Sequence, residues 1–251
     1  MKWTAVVFMA AGCLTGFSDA VLRLLKPSAW RTDFEYTLNS FPVSFQIDAL
    51  SAFFLLAIFA ISLLSVIYSF HYMENAQKAR RTAANYLFFS LLIVSMAIVV
   101  CAGNIITFML AWEIMSLSSF FLVIFNYEDE WNRRAGYLYF VFSQVGAMFI
   151  VAGFGLMYAY TGSLGFDSGA VLPETAKILV FVLVFVGFGS KAGVFPLHIW
   201  LPHAHPAAPS HISAVMSGVM IKTGIYGILR MYAVLDWQTP LFGYIVLTAG
   251  I

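Results

Sequence analysis

The chain alternates long apolar runs with short polar clusters. Runs of about 20 apolar residues, the length that crosses a ~30 Å hydrocarbon core, lie near residues 3–25, 49–69, 84–102, 105–125, 135–160, 177–200 and 209–233. Another apolar segment, 241–251, opens after Pro240. It is too short to cross a bilayer, so the chain reads as a fragment of a longer polypeptide. The first run is the weakest, because Asp19 and Arg23 interrupt it. No small-residue cleavage site follows, which favours a membrane helix over a removed leader. The pattern therefore predicts an all-α, polytopic membrane helix bundle of about seven or eight transmembrane helices.

Composition agrees. Hydrophobic residues make up 61% of the 251 positions and charged ones 10%, against about 25% charged in soluble domains, and the mean hydropathy is +0.88. A net charge of +1 gives no basis for nucleic-acid binding. Basic residues collect after the second span (Lys78, Arg80, Arg81) and the fourth (Arg133, Arg134), whereas the connection 161–176 has none. Those loops should face the cytoplasm of a multi-pass inner-membrane protein. Arg23, Lys26 and Arg31, accompanied by Asp33 and Glu35 in the long connection 19–48, vote the other way. Cys13 and Cys101 stand alone in apolar stretches, as packing thiols do.

Single ionisable residues interrupt segments otherwise apolar enough to span a bilayer: Glu113 within 105–125, Lys191 within 178–200 and Lys222 within 209–233. Each costs about 2.5 to 3.5 kcal/mol at membrane depth, which points to use in passing protons or cations. Glu113 needs a cationic neighbour or water to stay charged; otherwise it is a carboxylate that pins two helices together. Lys191 lies in a glycine-rich stretch before Pro196, whose missing amide hydrogen should free the Ala192 carbonyl and break the helix. A lysine beside a broken helix suits a proton carrier, and a snorkelling surface lysine is the competing reading. His211 and Lys222 are eleven residues apart, close to one face of an α-helix, and so share a possible polar track.

His198, His203 and His205 do not match a metal-site spacing, and no thiolate is near them. Polar histidines at an interface or at the mouth of a proton path fit better. Phosphate-binding, dinucleotide-binding and serine-nucleophile motifs are missing from the sequence. Neither a metal nor another cofactor is expected in this chain.

The stretch from Gly189 through Lys191, Pro196, His198, Trp200 and His205 to Ser210 resembles the signature of the antiporter-like membrane subunits of complex I and its relatives. The run Ile212–Gly227, the motif Phe45-Gln46-Ile47-Asp48-Ala49-Leu50-Ser51 and the pair Trp112-Glu113 are similar to the same family. They stand nearest to its membrane-bound hydrogenase branch, which includes hydrogenase-4 component B and the formate hydrogenlyase membrane subunit. The resemblance implies a fold of two inverted five-helix repeats, each with a broken helix. Residues 1–82 would be N-terminal helices, 83–233 the first repeat and 234–251 the start of a second. It further implies that Glu113 pairs with Lys191 and that Lys222 is the next relay group. Two departures stand out: only one span precedes Phe45, and Ala147 occupies a place where some relatives carry an acid.

The function so implied is proton translocation by a non-redox membrane subunit of a hydrogenase-like or NADH-quinone oxidoreductase-like complex. Its partners would be other membrane subunits, peripheral redox subunits, the lipid bilayer, and protons or sodium ions. A subunit of a multisubunit sodium/proton antiporter is one alternative, and a structural membrane anchor is another.

Overall fold

The computed structural model describes residues 2–26, 30–38, 41–73, 79–236 and 241–250. Lys78, Pro240, Ile251 and the side chains of Asp33 and Glu35 lie outside the described residues. The protein is a multi-pass membrane helix bundle. Each of the seven apolar runs is a helix long enough to cross a bilayer: α1 (Lys2–Leu25), α2 (Ala49–Tyr72), α3 (Ala79–Cys101), α4 (Ile105–Val123), α5 (Glu130–Thr161), the broken span starting with α6 (Glu174–Ala192), and the span that ends the bundle. The broken span continues through a 3₁₀ turn, Leu197–Trp200, into α7 (Leu201–Ala207). The last span joins α8 (Ser210–Val215), a π turn (Met216–Met220) and α9 (Ile221–Leu235), and α10 (Leu241–Gly250) follows.

Several helix starts are set by side-chain caps. Asp48 accepts the amide of Ser51 at 2.8 Å, Asn104 that of Thr107 at 2.8 Å, and Asp129 that of Trp131 at 3.0 Å. The Asp129 cap explains why α5 begins five residues ahead of its apolar run.

The connection before α2 is not an irregular loop. Strand β1 (Trp30–Leu38) pairs antiparallel with β2 (Phe41–Ile47), Trp30 opposite Ile47, with a register shift between Phe34 and Leu38. β-branched and aromatic residues dominate both strands, a signal that the search for helical spans passes over. The hairpin is fastened to the α3–α4 turn, where Gly103 N–H donates to Ser44 O at 2.8 Å and Asn104 Nδ2 donates to Pro42 O at 2.7 Å.

Helices α5 and α6, α6 and α9, and α4 and α5 pack against one another to form the centre of the bundle. Glycines permit the closest approaches. A Cβ at Gly187 would lie 2.6 Å from the carbonyl oxygen of Gly146, and one at Gly224 would lie 2.6 Å from that of Phe188. Small residues at crossing points let membrane helices approach closely and gain dispersion contacts. Around them, Phe108, Trp112, Phe154 and Phe188 interlock with ring centroids 5.2 to 5.6 Å apart. Phe8, Leu64, Leu110 and Met148 point outward, as suits a lipid-facing surface.

The two ends of the bundle differ. At the basic end Arg81 pairs with Glu128 and stacks on Tyr127, and Arg134 pairs with Glu130. At the opposite end Arg230, from α9, grips Asp48 through two contacts of 2.5 and 2.9 Å and also donates to Ser51 Oγ at 2.9 Å. Burial alone would raise the Asp48 carboxyl pKa, but hydrogen bonds from Arg230 and Ser51 outweigh it and hold the group below the usual carboxylate range.

Candidate functional site

Lys191 sits on the last turn of α6, only 3% exposed. Its Nζ donates to Tyr139 OH at 2.6 Å, Ser116 Oγ at 3.2 Å and Ser143 Oγ at 3.3 Å, and stands 4.9 Å from the Tyr139 ring centroid. An ammonium has three donors, and here each meets a hydroxyl. Those hydroxyls form a network of their own. Ser143 Oγ donates to Ser116 Oγ at 3.1 Å, Tyr139 OH lies 2.5 Å from Ser119 Oγ, and Ser119 Oγ donates to Met115 O at 2.7 Å. A hydroxyl can accept from an ammonium or donate to an amine, so this shell suits both states of the lysine.

The break after Lys191 is pinned on both sides. Ser190 Oγ donates to Phe142 O at 3.1 Å, and Trp200 Nε1 donates to Ser190 O at 2.8 Å. The chain turns at Gly193, φ +77°, and Val194 N–H returns to Gly189 O at 2.9 Å. Glycine adopts this left-handed conformation without a Cβ clash. The expected break is therefore present, but its pivot is Gly193. Pro196 lies beyond the helix end, exposed, at the start of the 3₁₀ turn.

Glu113 is half-buried and accepts from Gln144 Nε2 at 3.1 Å. Glu113 and Lys191 form no direct ion pair among the described residues. Glu113 lies three residues before Ser116 on α4, and Gln144 follows Ser143 on α5, so the Glu113–Gln144 pair neighbours the Lys191 shell along both helices.

Lys222 stands apart from this shell. It is exposed, and its Nζ donates to Ser217 O at 2.6 Å. The inward position belongs to Thr223, fully buried, whose Oγ1 donates to Met220 O at 2.7 Å and reaches Met115 Sδ at 3.6 Å. His211 is buried elsewhere, its Nε2 3.0 Å from Asn85 Oδ1 on α3, between the rings of Tyr72 and Phe89. The single α-helical face expected for His211 and Lys222 is not formed. The π turn, in which Ile221 N–H reaches Met216 O, inserts an extra residue between them and turns Lys222 by roughly 100° relative to a straight α-helix.

The other histidines diverge. His205 Nδ1 meets Ser213 Oγ at 3.1 Å, His203 packs on Trp131, and His198 packs on Phe195. Sequence reasoning missed Tyr139, Ser116, Ser119, Ser143 and Gln144. A signal for them existed in hydroxyls spaced three and four residues apart on two adjoining spans.

Two family models match the chain. One, described as NADH:quinone oxidoreductase/Mrp antiporter, TM, covers residues 102–251, and the other, NADH-Ubiquinone oxidoreductase (complex I), chain 5 N-terminus, covers 36–81. The chain belongs to this antiporter-like family. Hydrogenase-4 component B of Escherichia coli is 42% identical over 213 residues, which are 83% of this chain and 31% of that protein. The chain thus spans about a third of this relative's length. A chain from the archaeal membrane-bound sulfane sulfur reductase, a respiratory membrane complex, matches with a TM-score of 0.80 and 28% identity, covering 98% of this chain and 40% of that one. One from the Mrp complex of Dietzia has the same fold, with a TM-score of 0.81 and 21% identity over 99% of this chain and 48% of that one.

Proposed function

We propose that the chain is part of a proton-translocating membrane subunit of an oxidoreductase complex of hydrogenase, formate hydrogenlyase or NADH-quinone oxidoreductase type. The observation that carries this reading is Lys191, a buried ammonium held by three hydroxyls and, among the described residues, by no carboxylate. A lysine amine can take up and release a proton, whereas its ammonium form is a poor ligand for sodium, which favours the proton reading over sodium transport. The family's Mrp members keep the multisubunit sodium/proton antiporter as the second reading.

Protonated Lys191 is stabilised by the lone pairs of Tyr139, Ser116 and Ser143. When it loses its proton, the same hydroxyls rotate to donate. A change of charge near Glu113 reaches Lys191 through Gln144, Ser143 and Ser116, and favours one of the two states. Lys222, outside the shell, is the onward acceptor. Redox chemistry takes place in peripheral partner subunits, other membrane subunits flank this one, and the basic end faces the cytoplasm across an inner membrane.

Lys191→Met in the full complex tests the reading. The methionine removes a costly buried charge while filling similar space, so the complex should assemble at normal levels on a native gel. Proton uptake into inverted vesicles should fall by roughly tenfold or more. Normal uptake at normal assembly would overturn the proposal.

A further inference from the structure

The π turn removes His211 from the track that the sequence suggested and leaves it facing a different set of polar groups. His211 and Asn85 are each 1% exposed and hydrogen-bonded to one another, yet His211 Nδ1 and Asn85 Nδ2 have no protein partner among the described residues. Beside them, α2 buries Ser62, Ser65 and Ser69. Their spacing places the three hydroxyls on one face of α2, over a rise of about 10 Å. Ser69 Oγ lies 3.4 Å from Tyr86 OH, next to Asn85 on α3, and Ser62 Oγ, fully buried, also has no protein partner. Deeper still, Ile61 abuts Gly218, where a Cβ would lie 3.0 Å from the isoleucine side chain. That contact brings the Ser62 level of α2 to the π turn whose Ser217 carbonyl holds Lys222.

Three partnerless polar atoms on three adjoining helices are costly at membrane depth unless water joins them. Water needs two to four polar partners, and this seam offers them at successive depths. We propose that the seam between α2, α3 and α8 holds a file of water molecules, with the His211–Asn85 pair at its basic end, which delivers protons to the Ser217–Lys222 step by a route separate from Lys191. His211 takes a proton on Nδ1 and returns it to the file, and Ser62, Ser65 and Ser69 line the path. The proposal rests on the ion-translocating reading above, but its wiring is independent of Lys191.

The test uses the full complex with Cys13 and Cys101 replaced by alanine. Ser62→Cys is close in size to the native residue, and silver ion added at the basic end serves as a water-borne probe. After denaturation, remaining thiols are counted with a maleimide. The Ser62→Cys thiol should be protected by silver, whereas Ala52→Cys, equally buried on the same helix, should not be. His211→Phe should assemble and, added to Lys191→Met, lower the uptake that remains by roughly tenfold. An unprotected Ser62→Cys thiol, or residual uptake unchanged by adding His211→Phe, overturns the seam. The Lys191 reading is judged separately, because normal uptake by Lys191→Met with a protected Ser62→Cys thiol would remove that reading and leave the seam standing.

Discussion

At Lys191 Nζ the nearest neighbour is the phenol of Tyr139, and this contact is the most informative one to remove. Tyr139→Phe keeps the ring against Trp200, 5.0 Å away between centroids, and deletes only the hydroxyl. The complex should assemble normally while proton uptake falls by about tenfold or more, because the ammonium loses an acceptor and Ser119 loses a partner. Wild-type uptake would exclude the phenol from the shell's work. The proposed indirect link between Glu113 and Lys191 predicts non-additive effects in a Glu113→Gln and Lys191→Ala double-mutant cycle, with the coupling weakened by Gln144→Leu. Coupling of undiminished size in the Gln144→Leu background would contradict the indirect link. Charged residues stand out in an apolar run, so Glu113 and Lys191 were legible in the sequence. Tyr139 and the serines were not, because a lone hydroxyl in a membrane span can bond to its own helix, as Ser118 does to Met115 O.

Helix breaks and helix ties raise a different set of expectations. Because the span turns at Gly193, Gly193→Ala should strain the left-handed residue by about 1 to 2 kcal/mol and displace Lys191, lowering proton uptake. Pro196→Ala should have little effect on uptake, since the proline follows the turn. The opposite order of effects would restore the proline as the pivot. The Asp48–Arg230 tie carries a pH dependence whose sign is fixed by the lowered carboxyl pKa. Its stabilisation is fully present above the unfolded value of about 3.9 and is lost only as the pH falls through the lower folded value. Asp48→Asn should therefore destabilise the detergent-solubilised protein at pH 7 by up to about 3 kcal/mol, with the difference from wild type shrinking in strong acid. Thermal unfolding of both forms at the two pH values checks this. Span positions were legible to within a few residues from apolar run length alone. The hairpin and the π turn were not, since one hides in a polar connection and the other is met by packing against Ile61 of α2.

Among the described residues, two clusters of polar groups stand out at membrane depth. One is the hydroxyl shell of Lys191 between α4, α5 and α6, and the other is the seam of His211, Asn85 and the α2 serines, with the α8–α9 span running from the second toward Lys222. Family membership was legible in the motif from Gly189 to Ser210, because that stretch resembles the family's signature. The second polar seam was not legible, because its serines sit in an otherwise ordinary apolar span. The central claim is that Lys191 must both hold and release a proton. Lys191→Arg measures this most directly, since a guanidinium keeps the charge and the hydrogen-bond donors but does not deprotonate in a protein. In vesicles containing equal amounts of assembled complex, the account predicts that Lys191→Arg loses proton uptake as fully as Lys191→Met. Uptake restored by arginine would show that a permanent positive charge is enough, and would contradict the account.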